Sequence, residues 1–197
     1  MIKNLVLLLA TVMIVPAAFS QNSDNTKKPA LAIYFLFNDF KTANSIRSNS
    51  LSSVLKDKQF AKLKEMSPGL AVSYLKGIAP NFDFSTTLAG SFLDYPFEGK
   101  VLSGNESLLL EADASIHAKM LDDKHWVVPY LSAGIGISKY KGYYGAILPL
   151  GAGIQVNFFD DAFLMLNSQY RLKVTDNSNY HFYFSIGIAG NLGSKEE

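Results

Sequence analysis

Apolar and non-apolar side chains alternate along most of the chain beyond residue 29. In the last such segment one face carries Phe182, Phe184 and Ile186, whereas Ser185 and Gly187 lie on the other face. A period of two residues is that of a β-strand, because successive side chains point to opposite faces. The pattern predicts eight strands, at residues 30–37, 68–77, 81–93, 106–121, 125–139, 143–158, 162–174 and 180–192.

The connections between these strands alternate in length. Residues 38–67 and 94–105 form long connections, whereas residues 78–80, 122–124 and 159–161 form tight turns. Tight turns at one end and longer loops at the other are typical of an antiparallel barrel that spans a membrane. The pattern therefore predicts an all-β fold, an eight-stranded antiparallel up-and-down transmembrane β-barrel. A periplasmic N-terminus would put the longer loops outside the cell.

The first long connection also carries a helical pattern. Leu51, Val54, Leu55 and Met66 fall roughly on one face of a helix, and a structureless loop of this length is uncommon. We expect a short helix of two or more turns within residues 51–66, outside the barrel or capping its outer mouth.

The less apolar face of the strands discriminates between a soluble barrel and one in lipid. It carries mostly Gly, Ser, Ala and Asn, as at Ser132, Gly134 and Gly136. A soluble barrel would carry Lys, Glu and Asp on its wet outer face, whereas small residues suit a narrow lumen inside an apolar wall. A lipocalin-like soluble barrel is the alternative. Aromatic residues near strand ends suit a membrane–water interface; they are Tyr95, Trp126, Tyr130, Tyr140, Tyr143, Tyr144 and Tyr180.

The N-terminus has the pattern of a secretory signal peptide at residues 1–20. Lys3 precedes an apolar run at 5–15, and small residues precede a cut before Gln21. The run is shorter than the roughly 20 residues of a spanning helix, which disfavours the alternative of a membrane anchor. The chain contains no Cys, which excludes a lipoprotein. We expect a polar leader at 21–29, the barrel at 30–193, a periplasmic tail at 194–197 and a location in the bacterial outer membrane.

The sequence offers little catalytic chemistry. The formal net charge of +1 gives no case for a nucleic-acid partner, and no cluster has the spacing of metal ligands. Ser115, His117 and Asp113 share a face, but neighbours on one face of a strand stand about 6.5–7 Å apart, which is long for a proton relay. We therefore expect no enzyme activity, no metal and no cofactor.

Charged residues at lumen-facing positions give the main site hypothesis. Glu111 and Asp113 lie in the outer half of the fourth strand, and Arg171 lies near the outer end of the seventh. An isolated charge in a narrow lumen is costly, and the arginine fork can grip a carboxylate across it. We expect an ion pair of Arg171 with Glu111 or Asp113 that occludes the barrel; the alternative is that Arg171 extends to the outer mouth and meets water. Other polar side chains expected in the lumen are Ser115, His117, Lys119 and Gln169.

The first long connection carries an excess of cations. Lys56, Lys58, Lys62 and Lys64 are a candidate surface for lipopolysaccharide phosphates. The alternative is a solvated loop face without a ligand.

Several motifs resemble those of a known family. Asp39-Phe40-Lys41-Thr42 and Ile46-Arg47 lie in the first long connection, and Met66-Ser67-Pro68-Gly69 opens the second strand. The others are Ser50-Leu51-Ser52-Ser53-Val54-Leu55, Asp123-Lys124-His125 and Gln169-Tyr170-Arg171. With these motifs the chain resembles the OmpA-type outer-membrane β-barrel domain of Gram-negative bacteria. The resemblance implies a small eight-stranded barrel, insertion by the barrel-assembly machinery and often an attached peptidoglycan-binding domain, which we expect this chain to lack.

Three functions are consistent with this pattern. A structural or interaction role in the envelope is favoured, because the lumen is expected to be mostly filled. A narrow channel for ions or small solutes is the alternative, and a lipid A-modifying enzyme is the second alternative. The expected partners are outer-membrane lipid and lipopolysaccharide, and the barrel is expected to be a monomer.

Overall fold

The alternating segments form eight strands. In the computed structural model, residues 26–93, 108–159 and 162–192 are described. The strands are β1 (Ala30–Asp39), β2 (Ser67–Ala79), β3 (Phe82–Phe92), β4 (Leu108–Lys119), β5 (Val127–Tyr140), β6 (Tyr143–Phe159), β7 (Ala162–Lys173) and β8 (His181–Asn191). Each strand pairs antiparallel with its neighbour in sequence, and β8 pairs with β1 to close the barrel. The predicted eight-stranded up-and-down barrel is confirmed.

Two tyrosines inside the barrel depend on glycines of neighbouring strands. Tyr34 lies opposite Gly187 across the β1–β8 pair, and Tyr130 lies opposite Gly153 across the β5–β6 pair. A Cβ atom on either glycine would collide with the neighbouring tyrosine ring. The small residues on the lumen face thus make room for large rings from the next strand.

Burial alternates along the strands as the sequence predicts. Glu111, His117 and Ser185 are at most 6% exposed, whereas Leu131 is 53% and Ile186 is 44% exposed on the outer wall. The predicted inward and outward faces are therefore confirmed at these positions. The same assignment holds for the inward Gly187, Gly134 and Gly151 and for the outward Leu110 and Leu148.

Two outward aromatic residues are half-buried because they pack on the outer wall itself. The rings of Phe182 and Phe184 stack with centroids 5.9 Å apart. Phe60, from the first connection, meets Phe182 edge-on at 5.6 Å. The first connection therefore reaches the outside of the barrel at β8.

The prediction that Tyr130 and Tyr140 lie at the membrane interface is wrong. Both side chains point into the barrel and are at most 4% exposed. Their position in the alternation is that of the lumen face, and this outweighs their position near strand ends. Tyr130 stacks on His117 with ring centroids 4.8 Å apart, and Tyr140 packs with Phe40 and other apolar residues at the outer end.

The first connection is more helical than its pattern indicates. Helix α1 (Phe40–Ser48) begins directly after β1, where the Asp39 carboxylate accepts the backbone N–H of Thr42 at 2.8 Å. Helix α2 (Leu51–Lys56) is capped by the Ser50 hydroxyl, and a 3-10 helix (Leu63–Glu65) follows. A short helix after β1 is confirmed, but its expected length of two or more turns within 51–66 is wrong, because α2 has only 6 residues.

No helix among the described residues is long and apolar enough to cross a membrane. Several predictions fall outside the described residues. They concern the signal peptide at 1–20, residues 21–25 of the leader, the connection at 94–105 with Tyr95, residues 160–161 of a tight turn and the tail at 194–197.

Candidate functional site

A buried ion-paired group crosses the outer half of the lumen; we call Arg171, Glu111, Asp113 and His181 the outer network. From β7, Arg171 donates through Nη1 to Glu111 Oε2 at 2.7 Å and through Nη2 to Asp113 Oδ2 at 3.1 Å, both on β4. The Arg171 side chain is 1% exposed, and the two carboxylates are at most 3% exposed. The sequence predicts an ion pair of Arg171 with Glu111 or Asp113. In the structure the Arg171 guanidinium binds both carboxylates.

Neighbouring groups hold the outer network in place. The Arg171 guanidinium lies 3.8 Å from the Tyr183 ring centroid, and the Ser115 hydroxyl donates to Asp113 at 3.0 Å. His181 Nε2 lies 3.3 Å from Glu111 Oε1. The Phe40 ring of α1 stacks on His181 with centroids 4.4 Å apart. Helix α1 therefore covers the outer network from the end of the barrel that carries the first connection.

The middle of the lumen is polar but nearly filled. His117 pairs with the Ser85 hydroxyl at 3.0 Å, and the Tyr34 hydroxyl donates to Met165 Sδ at 3.2 Å. The cavity in this region has a volume of about 20 Å³, and Gln169 is among its lining residues. Such a volume holds about one water molecule. Ser115, His117 and Gln169 are thus packed lumen residues, as the alternation predicts.

A second ion-paired group lies in the other half of the lumen; we call Lys27, Lys119, Asp83 and Asp123 the inner network. Lys119 Nζ lies 3.0 Å from Asp83 Oδ1 and 2.6 Å from Asp123 Oδ2. Lys27 Nζ lies 3.0 Å from Asp83 Oδ2 and 3.9 Å from Asp123 Oδ1. Gln155 Nε2 donates to Asp123 at 3.0 Å and its Oε1 accepts from Lys27. Two ammonium groups and two carboxylates therefore balance in charge.

Sequence reasoning missed Lys27, which it assigned to the polar leader. The side chain is 5% exposed, lies 4.2 Å from the Phe163 ring centroid, and its backbone carbonyl accepts the Gly77 N–H at 3.1 Å. Burial lowers the pKa of the Lys27 ammonium from its ordinary value, against the opposing effect of Asp83. One signal in the sequence points to a buried cation at this end. Asp83 is a carboxylate of the third predicted strand, and a carboxylate in a narrow lumen needs a cationic partner.

The charged side chains of the first connection lie on its surface. Lys56, Lys58, Lys62 and Lys64 are exposed, and the structure gives none of them an ion pair with a described carboxylate. Glu65 is paired with Lys41 at 2.9 Å, and the hydrogen bond from Lys41 holds the pKa of its carboxyl below the ordinary value. The four lysines are therefore available to a ligand, as the candidate lipopolysaccharide surface requires.

The same-face set of Ser115, His117 and Asp113 is not arranged as a proton relay. The Ser115 hydroxyl donates to Asp113, while the His117 ring pairs with Ser85 and stacks on Tyr130. All three side chains are buried in the filled part of the lumen. Within the described ranges, no group of three or more His, Cys, Asp or Glu side chains could hold a metal ion.

The barrel is similar to solved outer-membrane structures. Neisserial surface protein A matches with a TM-score of 0.55 and 11% identity, over 86% of this chain and 100% of that one. The N-terminal β-barrel domain of Pseudomonas aeruginosa OprF matches with a TM-score of 0.46 and 12% identity, over 83% of this chain and 97% of that one. Ail of Yersinia pestis matches with a TM-score of 0.43 and 14% identity, over 84% of this chain and 97% of that one.

Neither the scan of protein-family models nor the search of curated protein sequences gives a match. The structural likeness rests on the closed eight-stranded topology and on Neisserial surface protein A, which is matched over its whole length. The chain therefore has the fold of the small, eight-stranded OmpA-type outer-membrane barrels.

Proposed function

We propose that this protein is a bacterial outer-membrane barrel with a structural or interaction role, and that its lumen is closed to ions and solutes. The observation that carries this proposal is the pair of charged networks, which cross the lumen at two levels. The outward wall is apolar, which suits lipid, and the fold is that of outer-membrane barrels. The protein would act as a monomer surrounded by outer-membrane lipid and lipopolysaccharide.

The closed lumen follows from the energetics of buried charge. Arg171, Glu111 and Asp113 are removed from water and satisfied mainly by one another, so moving one of them out of the lumen leaves the others uncompensated. The inner network repeats this arrangement around Lys27 and Asp83. An ion would have to separate both groups in series.

A role without catalysis is part of the same proposal. The hydroxyl and imidazole groups of the lumen, Ser115 and His117, are engaged with other side chains and buried. A lipid A-modifying enzyme needs an activated nucleophile that its substrate can reach. Mass spectra of lipid A from cells with and without the protein would reveal such an activity as a changed acyl or phosphate pattern; we expect identical spectra.

Conductance in planar lipid bilayers tests the closed lumen. We expect no steady conductance from the refolded wild-type protein. Because two networks lie in series with the filled middle of the lumen, Arg171→Ala or Lys27→Ala alone should conduct little, and the double variant should conduct more than either single variant. Lys124→Ala, which changes an exposed turn residue, is the matched control. Steady conductance of the wild type would replace this proposal with the narrow channel.

A further inference from the structure

The outer wall of the barrel contains a groove on the side formed by β6, β7 and β8. Ala152, Ser168 and Phe184 are register partners across these strands. Below them lies a row of larger side chains, Ile154, Leu166 and Ile186. Because Ala152 and Ser168 are small, the wall is indented here, and the cavity measures about 460 Å³.

A continuous line of aromatic rings leads from this groove to the extracellular end. Phe184, in the groove, stacks on Phe182, and the Phe182 ring centroid lies 4.9 Å from that of Tyr170. Tyr170 stacks in turn on Tyr180 at 6.1 Å. The Arg47 guanidinium of α1 lies 3.8 Å from the centroid of the Tyr180 ring. The line therefore ends at an exposed cation.

The spacing fits one lipid molecule. Ser168 and Tyr170 are two residues apart, or about 7 Å along a strand. The Arg47 side chain hydrogen-bonds with Tyr170 and lies over the ring of Tyr180. The guanidinium therefore lies on the loop side of the groove, at least two residues of strand beyond Ser168. A phosphate at Arg47 would place an attached acyl chain beside the groove.

Charge favours an anionic headgroup at this end. The segment from residue 40 to residue 66 carries six Lys or Arg against two carboxylates, and Glu65 is already paired with Lys41. Arg47 makes no ion pair with a described carboxylate. Contact between Phe60 and Phe182 holds this segment against the outer wall, and Lys58 and Lys62, each two residues from Phe60, are exposed.

We propose that this surface binds one phosphorylated, acylated glycolipid of the outer leaflet, lipid A, with a phosphate at Arg47 and an acyl chain in the groove at Ser168 and Ala152. The inference rests on the membrane location in the proposed function, but it does not depend on whether the lumen conducts. The lipid would fix the first connection against the wall and orient the barrel in the leaflet.

Native mass spectrometry of the refolded barrel with lipid A tests the proposal. Wild type should retain one lipid A, and Arg47→Ala should weaken retention about tenfold, the loss expected for a charge-assisted hydrogen bond. Filling the groove with Ser168→Leu, or with Ala152→Leu if the first variant refolds poorly, should weaken retention similarly. Lys124→Ala and Ala114→Leu are the controls, an exposed cation at the periplasmic end and an outward small residue on the β4 wall.

Competitors distinguish the parts of the ligand. Inorganic pyrophosphate and zwitterionic phosphatidylcholine should each displace lipid A poorly, since one lacks the chains and the other the net charge. Unchanged retention by Arg47→Ala, or equal displacement by phosphatidylcholine, would overturn the phosphate site. Equal displacement by pyrophosphate, or unchanged retention by both groove variants, would overturn the acyl groove. A wild-type barrel that conducts but retains lipid A would overturn the closed lumen and leave this site standing.

Discussion

Replacing Arg171 with methionine tests the energetic basis of the outer network. Arg171→Met keeps the length and apolar stem of the side chain but removes the guanidinium that binds Glu111 at 2.7 Å and Asp113 at 3.1 Å. Both carboxylates remain buried, with only His181 close to Glu111. Breaking a buried ion pair from one side costs about 3–5 kcal/mol. We expect the free energy of unfolding to fall by about this amount.

Neutralising the carboxylates should restore much of this stability. In the triple variant Arg171→Met, Glu111→Gln and Asp113→Asn, no uncompensated charge is left in the lumen. Replacing a whole buried ion pair is often close to neutral, so we expect the triple variant to lie within about 2 kcal/mol of wild type. The three substitutions should therefore be strongly non-additive, as expected for groups that share contacts.

Urea unfolding from lipid vesicles, followed by the fluorescence of Trp126, provides the measurement. Trp126 is the single tryptophan of the chain and is 68% exposed on the barrel surface, so its emission reports the loss of its surroundings. Lys124→Met, which removes an exposed cation of a tight turn, is the matched control and should change stability little. A loss below about 1 kcal/mol in Arg171→Met, or a triple variant as unstable as the single one, would refute the reasoning.

Three further predictions concern other parts of the barrel. Burial lowers the pKa of Lys27 below its ordinary 10.5, so the folded protein binds fewer protons than the unfolded chain between the two values. The stability of wild type relative to Lys27→Met should therefore rise with pH through that window in urea titrations, and a fall would contradict the burial. Gly187→Ala should cost about 1–3 kcal/mol because its Cβ meets the Tyr34 ring, whereas the outward Gly90→Ala should be tolerated; equal costs would count against this packing. Ile135→Lys puts a charge on the apolar outer wall and should cost about 2–4 kcal/mol in vesicles; no cost would exclude lipid at that position.

The sequence predicts the barrel well because its alternation is physically constrained. A shift of one residue would exchange the lumen and lipid faces of a strand, so the pattern determines which way Glu111 and Arg171 point. Once both face a narrow lumen, the cost of isolated charge favours a partner. The sequence could not choose between Glu111 and Asp113, because strand tilt sets the relative heights of β4 and β7.

Features that depend on contacts between distant segments could not be predicted in this way. Lys27 lies outside any alternating segment, and its burial depends on the space that Gly77 and Asp83 leave at this end of the lumen. Helix α1 buries only Phe40, Thr42 and Ala43, and Phe40 is buried by stacking on His181, a contact between segments far apart in sequence. The aromatic line to Arg47 depends on how the first connection lies against β8, which no local pattern determines.

The central claim, that the apolar outer wall faces lipid, is tested most directly by spin labels. The natural chain contains no Cys, so Ile135→Cys and Asp176→Cys each give a single labelling site. Ile135 is 69% exposed on the wall, and Asp176 lies exposed in the loop before β8. In bilayers, we predict that the label at 135 collides far more with oxygen than with a water-soluble nickel chelate, and that the label at 176 is readily accessible to the chelate. Equal access of the nickel chelate to both labels would contradict the claim and identify a soluble barrel.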